Sequence, residues 1–197
     1  MKSRPTIIDA IFCLKNGGVG IIPTDTVYGI VGSAFYPEAT QRIYFLKNRD
    51  TRKPFVILIS SVEDLRKFGI RPGKKTLCIL QKVWPNEISV ILPCRQKRFF
   101  HLHRRRKSLA FRMPGNKKIL DFIRKTGPLA SSSANWSGKP VALNICEAKD
   151  YFKDQVDFYI NGGQLSPLPS TIIRLHNGKI YVQRRGRVNI RELVGSK

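Results

Sequence analysis

The first apolar residues of the chain are spaced as in an amphipathic helix. They share one face over residues 6–16, and Gly17 follows as a helix stop. The residues on that face are Ile7, Ile8, Ile11 and Leu14. A second helix is predicted over 37–48, because Pro37 suits a first helical turn. Its inward positions are Ala39, Ile43 and Leu46.

Short apolar runs between the helical stretches predict β-strands. The run at 19–22 is one, and the near-continuous run at 55–59 is typical of a strand buried on both faces. Later strands are predicted at 88–92, 109–113, 129–130, 158–160, 171–175 and 179–183. The last two flank Asn177-Gly178, the favoured two-residue hairpin turn. Further helices are predicted to start at Ser61 and to cover 74–83, 116–125 and 145–153.

This alternation of helices and strands predicts an α/β fold, with a mixed open sheet and helices packed on it. Nothing in the sequence marks a domain boundary, because there is no internal repeat, low-complexity linker or break in composition. We therefore expect one domain over residues 1–197.

The charge balance narrows the possible ligands. The chain has 36 lysines and arginines against 13 aspartates and glutamates, a net charge of +23. Such a chain attracts polyanions, which include RNA, DNA, anionic lipid and phosphorylated small molecules. A basic surface that is merely solvated is the alternative. The densest basic cluster lies at 95–107.

The sequence predicts a cytoplasmic protein with no membrane association. The N-terminus lacks an apolar signal core, and no apolar run is long enough to span a membrane. The four cysteines are scattered without a Cys-x-x-Cys pair, which favours a reducing compartment. His101 and His103 have no thiol or carboxylate at ligand spacing, so we expect surface histidines and predict no metal site.

Two early segments carry hydroxyls and cations suited to anionic ligands. Thr24 and Thr26 lie just beyond the first predicted strand, where α/β sheets place their ligands. Lys47 and Arg49 are two residues apart at the end of a predicted helix. Arginine binds phosphate with bidentate geometry and lysine as a point charge, so a triphosphate clamp is one interpretation. A turn and a solvated charged loop are the structural alternatives.

Two later segments add a serine run and arginines. Residues 131–133 and Asn135 follow a predicted strand, in what we expect to be a turn able to donate to phosphate or carboxylate oxygens. Arg112 ends an apolar strand and needs an anionic partner there, either a ligand or an internal aspartate. Arg184 closes the last predicted strand. None of the familiar glycine-rich phosphate loops accompanies these residues.

Taken together and in order, these segments resemble the YrdC family of threonylcarbamoyl-adenylate synthases over nearly the whole chain. The matching segments are 23–29, 47–49, Trp84-Pro85, 108–112, 133–138, 169–172 and Arg184 with Gly186. One departure follows Trp84-Pro85, where the family commonly continues Gly-Pro-Leu/Val-Thr and this chain has Asn86-Glu87-Ile88-Ser89.

The resemblance implies a fold and a reaction. The fold is a twisted α/β sheet with a concave basic surface, in the single-domain form without the C-terminal domain of longer relatives. The reaction converts L-threonine, bicarbonate and ATP to threonylcarbamoyl-AMP and pyrophosphate. Its product serves the threonylcarbamoyladenosine modification of tRNA, which implies a hand-off to a tRNA threonylcarbamoyl transferase.

The resemblance also implies roles for ten residues. The expected ATP-binding residues are Lys47, Arg49, Ser108, Ser133, Asn135 and Arg184. The expected L-threonine-binding residues are Thr24, Arg112, Ser131 and Ser170. Mg²⁺ is expected with ATP, because phosphate oxygens need bridging. No catalytic acid or base is assigned, since the reaction needs positioning and charge neutralisation more than a strong protein base.

A non-catalytic RNA-binding module is the alternative from a different functional class. Its support is the net charge and the cluster at 95–107, which could neutralise phosphates without reading sequence. The two functions are compatible, because a synthase could use the same segment to contact tRNA.

Overall fold

Nine strands form a single sheet in this computed structural model, which describes residues 6–176 and 179–194. The strands are β1 (Val19–Pro23), β2 (Tyr28–Ser33), β3 (Val56–Leu58), β4 (Ile88–Pro93), β5 (Ser108–Arg112), β6 (Leu129–Ser133), β7 (Phe158–Tyr159), β8 (Thr171–His176) and β9 (Lys179–Arg184). The α-helices are α1 (Ile7–Lys15), α2 (Pro37–Leu46), α3 (Lys74–Val83), α4 (Phe100–His103), α5 (Lys117–Thr126), α6 (Ile145–Phe152) and α7 (Ile190–Val194). Short 3₁₀-helices cover Val62–Phe68 and Lys97–Phe99.

The sheet is mixed and open, as predicted. Its spatial order is β7-β1-β2-β6-β3-β5-β4-β8-β9. Three neighbouring pairs are parallel, namely β1 with β7, β3 with β5, and β4 with β8, and the other five are antiparallel. Strands distant in sequence therefore lie side by side at the centre of the sheet.

Helices cover both faces of the sheet. Successive strand residues belong to different apolar clusters: Ile21 lies in one and Ile22 in the other, and Ile57 and Leu58 divide in the same way. Because side chains alternate across a strand, the two clusters lie on opposite faces. Leu14 of α1 and residues of α5 belong to the second cluster.

Sequence reasoning missed strand β2. All six of its residues are buried, but two of them are glycines, which are rare in strands. Close packing explains them: a methyl group at Gly29 would lie 3.2 Å from Oγ of Ser131, and one at Gly32 would lie 3.0 Å from Cβ of Ala39. These glycines let β2 pair tightly with β6 beneath α2.

Two predicted element ends are wrong. Strand β6 continues to Ser133, so the serines at 131–133 lie in the sheet and not in a turn. The helix predicted to 48 ends at Leu46, and Asn48 has a left-handed φ of 46°.

The predicted apolar face of α1 is wrong in part, because Ile7 and Ile8 are exposed. The residues of α1 that are fully buried are Ala10 and Leu14.

The basic segment 95–107 connects β4 to β5 and contains the 3₁₀-helix Lys97–Phe99 and α4. Its backbone has three non-glycine residues in the left-handed region, Arg104, Arg105 and Lys107. Left-handed φ is unfavourable for side chains of this size and persists only where surrounding contacts impose it. The prediction of two surface histidines is wrong for His103, which is buried with Nε2 at 3.3 Å from the Gln96 carbonyl.

The predicted C-terminal hairpin and the predicted lack of a membrane span can be compared with the structure. Strands β8 and β9 are antiparallel neighbours as predicted, whereas the Asn177-Gly178 turn lies outside the described residues. No helix among the described residues has the length and apolarity needed to cross a membrane.

Gly20 provides a test of the packing of β1 against β7. A methyl group there would overlap the buried ring of Phe158, so we expect Gly20→Ala to lower the free energy of unfolding by about 1–3 kcal/mol. Gly115→Ala is the control, because its added methyl would have no neighbour closer than Cα of Asn86 at 3.8 Å. Urea unfolding measures both, and equal stabilities of the two variants would contradict the packing.

Candidate active site

A cavity of about 310 Å³ opens on the sheet where the ends of several strands meet. Its polar lining combines three arginines with the hydroxyls of six serines and threonines: Arg49, Arg112, Arg184, Thr24, Thr26, Ser131, Ser132, Ser133 and Ser170. Its apolar lining includes Pro54, Val56, Leu58, Val141 and Ile172. No carboxylate lines it among residues 6–176 and 179–194. The cavity is therefore suited to a ligand with anionic groups and an apolar part.

The structure brings most of the predicted site residues together. The predicted residues that line the cavity are Thr24, Arg49, Arg112, Ser131, Ser133, Ser170 and Arg184. Lys47 and Asn135 lie immediately behind its wall, where both contact Ser133. Ser108 does not line the cavity: it pairs with Pro93 at the far end of β5 from Arg112.

Arg49 is held in the cavity wall by oxygen acceptors. Its guanidinium donates to Oγ of Ser132 at 3.3 Å, to the Pro54 carbonyl at 3.1 Å and, at 3.4 Å, to the Lys53 carbonyl. Burial lowers the pKa of Arg49. Its neighbour Asp50 pairs with Arg52 instead, and no ion pair neutralises Arg49 among the described residues. Arg49 therefore presents an unneutralised positive charge to a ligand.

Arg112 has an internal carboxylate partner. It forms a buried ion pair with Asp25, and its other terminal nitrogen donates to Oγ1 of Thr26 at 3.1 Å. Asp25 also accepts from the backbone N–H of Gly115 at 3.0 Å. The Nε of Arg112 is buried without a hydrogen-bond partner in the described structure. Asp25 thus orients Arg112 in the cavity lining, and these bonds use only one N–H of each terminal nitrogen.

The hydroxyls around Arg112 form a connected network. Thr24 Oγ1 lies 3.1 Å from Oγ1 of Thr26 and donates to the Val27 carbonyl at 2.6 Å. This arrangement folds the segment after β1 into a turn that points both hydroxyls at the cavity wall. Oγ1 of Thr26 links the turn to Arg112.

Ser170 anchors Arg184 in the cavity lining. The guanidinium donates to the Ser170 carbonyl at 2.8 and 3.2 Å, and to Oγ of Ser170 at 3.3 Å. Oγ of Ser170 also lies 3.1 Å from Oγ of Ser89, the residue at the departure from the family pattern noted above. Burial, and then the nearby positive charge of Arg112, lower the pKa of Arg184. Two cations close to each other favour an anionic ligand between them.

Lys47 is buried at the end of α2, with 1% of its surface exposed. Its ammonium donates to the Ser133 carbonyl at 2.5 Å, to the Asn135 carbonyl at 2.6 Å and to Oδ1 of Asn135 at 3.1 Å. Its own carbonyl accepts from the N–H of Ser137 at 2.8 Å. Lys47 therefore holds the turn after β6, and direct contact of its ammonium with a phosphate stays a prediction.

Asn135 completes that turn. Its amide donates to the carbonyls of Lys139 at 2.6 Å and Trp136 at 3.0 Å, while its Oδ1 accepts from Oγ of Ser133 at 2.6 Å. Ser133 is thus fixed from one side by Asn135 and from the other by Lys47.

Three contributors have no individual role in the sequence-based assignment. Ser132 appears there only as part of the serine run, although its Oγ is the one that accepts from Arg49. Asp25 and Thr26 lay in a segment that had been singled out, and a buried arginine at 112 needed an acid. What the sequence lacked was the information that 25 and 112 are neighbours in space.

The burial of Lys47 predicts a specific dependence of stability on pH. Burial, with Arg49 as the smaller cause, lowers the pKa of Lys47 to about 7. In the unfolded chain a lysine keeps its ordinary pKa of about 10.4, so between about pH 7 and pH 10 the unfolded state binds more protons. We therefore expect stability to rise with pH across this window more steeply in the wild type than in Lys47→Met.

Urea unfolding at pH 6.5, 8 and 9.5 measures the two slopes, and Lys53→Met, at an exposed lysine, is the control. Parallel slopes for the wild type and Lys47→Met would contradict a lowered pKa at Lys47.

Known proteins resemble this chain in sequence and in structure. A protein of Pseudoalteromonas translucida named threonylcarbamoyl-AMP synthase is 31% identical over 188 residues, covering 92% of this chain and 99% of that protein. A Bacillus subtilis protein of the same name is 32% identical over 138 residues, but this chain covers only 40% of its length. The crystal structure of P. abyssi Sua5 complexed with L-threonine superposes with a TM-score of 0.84 at 27% identity, covering 96% of this chain and 57% of that one.

The match to a family model is equally extensive. The model is named Sua5_yciO_yrdC, carries the description "Telomere recombination", and aligns with residues 13–186. That range includes every residue that lines the polar part of the cavity. The chain belongs to the Sua5/YciO/YrdC family.

Proposed function

We propose that this protein is a threonylcarbamoyl-AMP synthase, a nucleotidyltransferase that uses L-threonine, bicarbonate and ATP. The observation that carries the proposal is the cavity in which Arg49, Arg112 and Arg184 converge with the hydroxyls of six serines and threonines. The relatives that bear the name, and the threonine bound by P. abyssi Sua5, support it.

The two substrates would occupy different parts of the cavity. Arg112 suits the threonine carboxylate, because Asp25 fixes its guanidinium and each terminal nitrogen keeps a second N–H for a ligand. Thr24, Ser131 and Ser170 lie around it as hydroxyl partners. Such a site, built to hydrogen-bond its ligand, discriminates against analogues that lack the matching groups.

ATP would lie along Arg49 and the last residues of β6. Arg49 is the cation free to pair with phosphate, and Ser132 and Ser133 offer hydroxyls beside it. The apolar lining at Pro54, Val56 and Val141 suits the face of an adenine ring. We keep Arg184 and Ser108 on the nucleotide side. Because Ser108 lies outside the cavity, at the end of β5 far from Arg112, ATP would have to extend beyond the cavity to reach it.

The chemistry needs charge neutralisation at fixed positions. Threonine and bicarbonate first form an N-carboxy-threonine with loss of water. A carbamate oxygen then attacks the α-phosphorus of ATP, and the bond to the pyrophosphate oxygen breaks. Arginines already held in place stabilise the charge that develops on the phosphates without having to reorganise. Because no carboxylate lines the described cavity, Mg²⁺ would enter on the phosphate oxygens of ATP.

Pyrophosphate release tests this proposal. We expect release from ATP and Mg²⁺ only when threonine and bicarbonate are both present. Arg49→Ala should reduce kcat/KM at least about tenfold, because the loss of a charge-assisted contact costs roughly 1.5–3 kcal/mol. Arg52→Ala is the matched control, since that exposed side chain pairs with Asp50 outside the cavity. Release that does not depend on threonine would refute the function.

We further propose that the basic segment 95–107 contacts tRNA and keeps the enzyme near a tRNA threonylcarbamoyl transferase. Exposed cations support this, among them Arg95, Lys97 and Arg98. Each phosphate contact steepens the decrease of affinity with salt. We expect Arg95→Gln/Lys97→Gln/Arg98→Gln to flatten the salt dependence of tRNA binding without changing pyrophosphate release. An unchanged slope would remove the segment from the interface.

A further inference from the structure

The orientation of Arg49 depends on the connection that follows it. Its Nε and one terminal nitrogen donate to the carbonyls of Lys53 and Pro54, and its Cζ lies 5.8 Å from the ring centre of Phe55. Three consecutive residues therefore support the guanidinium from one side. If they moved, Arg49 would move with them.

Tyr44 holds the same connection from its other side. The Tyr44 hydroxyl donates to the Lys53 carbonyl at 2.8 Å, the acceptor that Arg49 also uses. The rings of Tyr44 and Phe55 are 4.6 Å apart between centroids. Both rings are buried, so this pair is a rigid support and not a surface contact.

Arg104 extends this arrangement outward. Its Cζ lies 4.7 Å above the ring centre of Tyr44, within cation–π range. The order in space is therefore Arg104, Tyr44, Phe55 and Arg49, with a cation at each end of two packed rings. Nearby, Nε of Arg106 donates to the Arg52 carbonyl at 3.2 Å, so the basic segment meets this connection at a second point.

The end of α4 and the ring of Tyr44 together fix the position of Arg104. This residue has a φ of 46°, and its Nε is buried without a hydrogen-bond partner among the described residues. The left-handed φ belongs to the C-cap of α4, and the exposed Arg105 and Lys107 share it, so the buried Nε is what distinguishes Arg104. A buried donor without a partner is retained where other contacts outweigh its cost, and the contact present here is the face of Tyr44.

We propose that Arg104 is a positioning residue for Arg49, acting through Tyr44 and Phe55. The proposal rests on the proposed function, since it assigns Arg49 to the phosphates of ATP. Arg104 does not line the cavity, so it would raise ATP affinity by fixing the support of Arg49 and not by touching the ligand. ATP affinity should then depend on Arg104, whereas threonine affinity, centred on Arg112, should not.

Two variants and a control separate this role from general effects of charge. Arg104→Leu removes the cation, and Arg104→Lys keeps a cation that can lie over the ring. Lys149→Leu is the control, because it also removes a cation over a tyrosine ring, that of Tyr159 at 5.7 Å, away from the cavity. Tyr44→Phe keeps the packed rings and removes the hydroxyl that donates to the Lys53 carbonyl, so it serves if Arg104→Leu does not fold.

The measurements are ATP binding by calorimetry and KM for ATP and threonine by pyrophosphate release. We expect Arg104→Leu to weaken ATP binding and raise KM for ATP by about fivefold, with KM for threonine unchanged. Arg104→Lys should recover most of the loss, Tyr44→Phe should show a similar selective loss, and Lys149→Leu should match the wild type.

Specific results would overturn the inference. Equal changes in Arg104→Leu and Lys149→Leu would show a general charge effect, and equal increases in both KM values would show a merely structural role. Unchanged ATP binding in Arg104→Leu and Tyr44→Phe would also refute it. A wild type that binds ATP but releases no pyrophosphate would refute the proposed function instead, and the binding data would still decide the role of Arg104.

Discussion

The arrangement of the site depends on one buried ammonium group. Lys47 has no carboxylate partner among the described residues, and three oxygens of the turn after β6 accept its hydrogen bonds. Burying a charge is costly unless it is paired or hydrogen-bonded, so this turn can adopt few other positions while Lys47 stays charged. The end of α2 and the end of β6, 86 residues apart in sequence at Lys47 and Ser133, are thereby held together. Arg49 and Ser132, which line the cavity, are neighbours of these two fixed points.

Arg112 and Arg49 differ in how far their positive charge is neutralised, and the difference affects which ligand group suits each of them. Asp25 neutralises Arg112, so the ligand group there is held by geometry more than by net charge. Arg49 has only neutral acceptors, so its full charge faces the cavity. A singly charged carboxylate suits the first environment, and a multiply charged phosphate chain suits the second. In the proposed function, arginine would therefore serve two different substrates, because of the two only Arg112 has a carboxylate partner in the described structure.

Much of this architecture follows from local sequence rules, and the failures have physical causes. Helix α3 matches its prediction over 74–83, since periodicity and caps are local properties. Strand β2 was missed because Gly29 and Gly32 are explained by contacts with β6 and α2, which no local pattern reveals. Lys47 was expected in a phosphate clamp, but its burial depends on a turn far away in sequence. Seven of the ten site residues that the family resemblance implies line the cavity, because matching motifs can be carried over without knowledge of the strand order.

The strand order also determines when, during folding, the cavity can be complete. The walls of the cavity come from Thr24 near the start of the chain to Arg184 near its end, on strands that pair out of sequence order. No partly folded or incompletely synthesised chain can have the complete set of arginines in place. A nucleotide that binds only the finished sheet would add its binding energy to the native state alone. Cellular ATP would then act as a stabilising ligand that selects completely folded molecules, in addition to being a reactant.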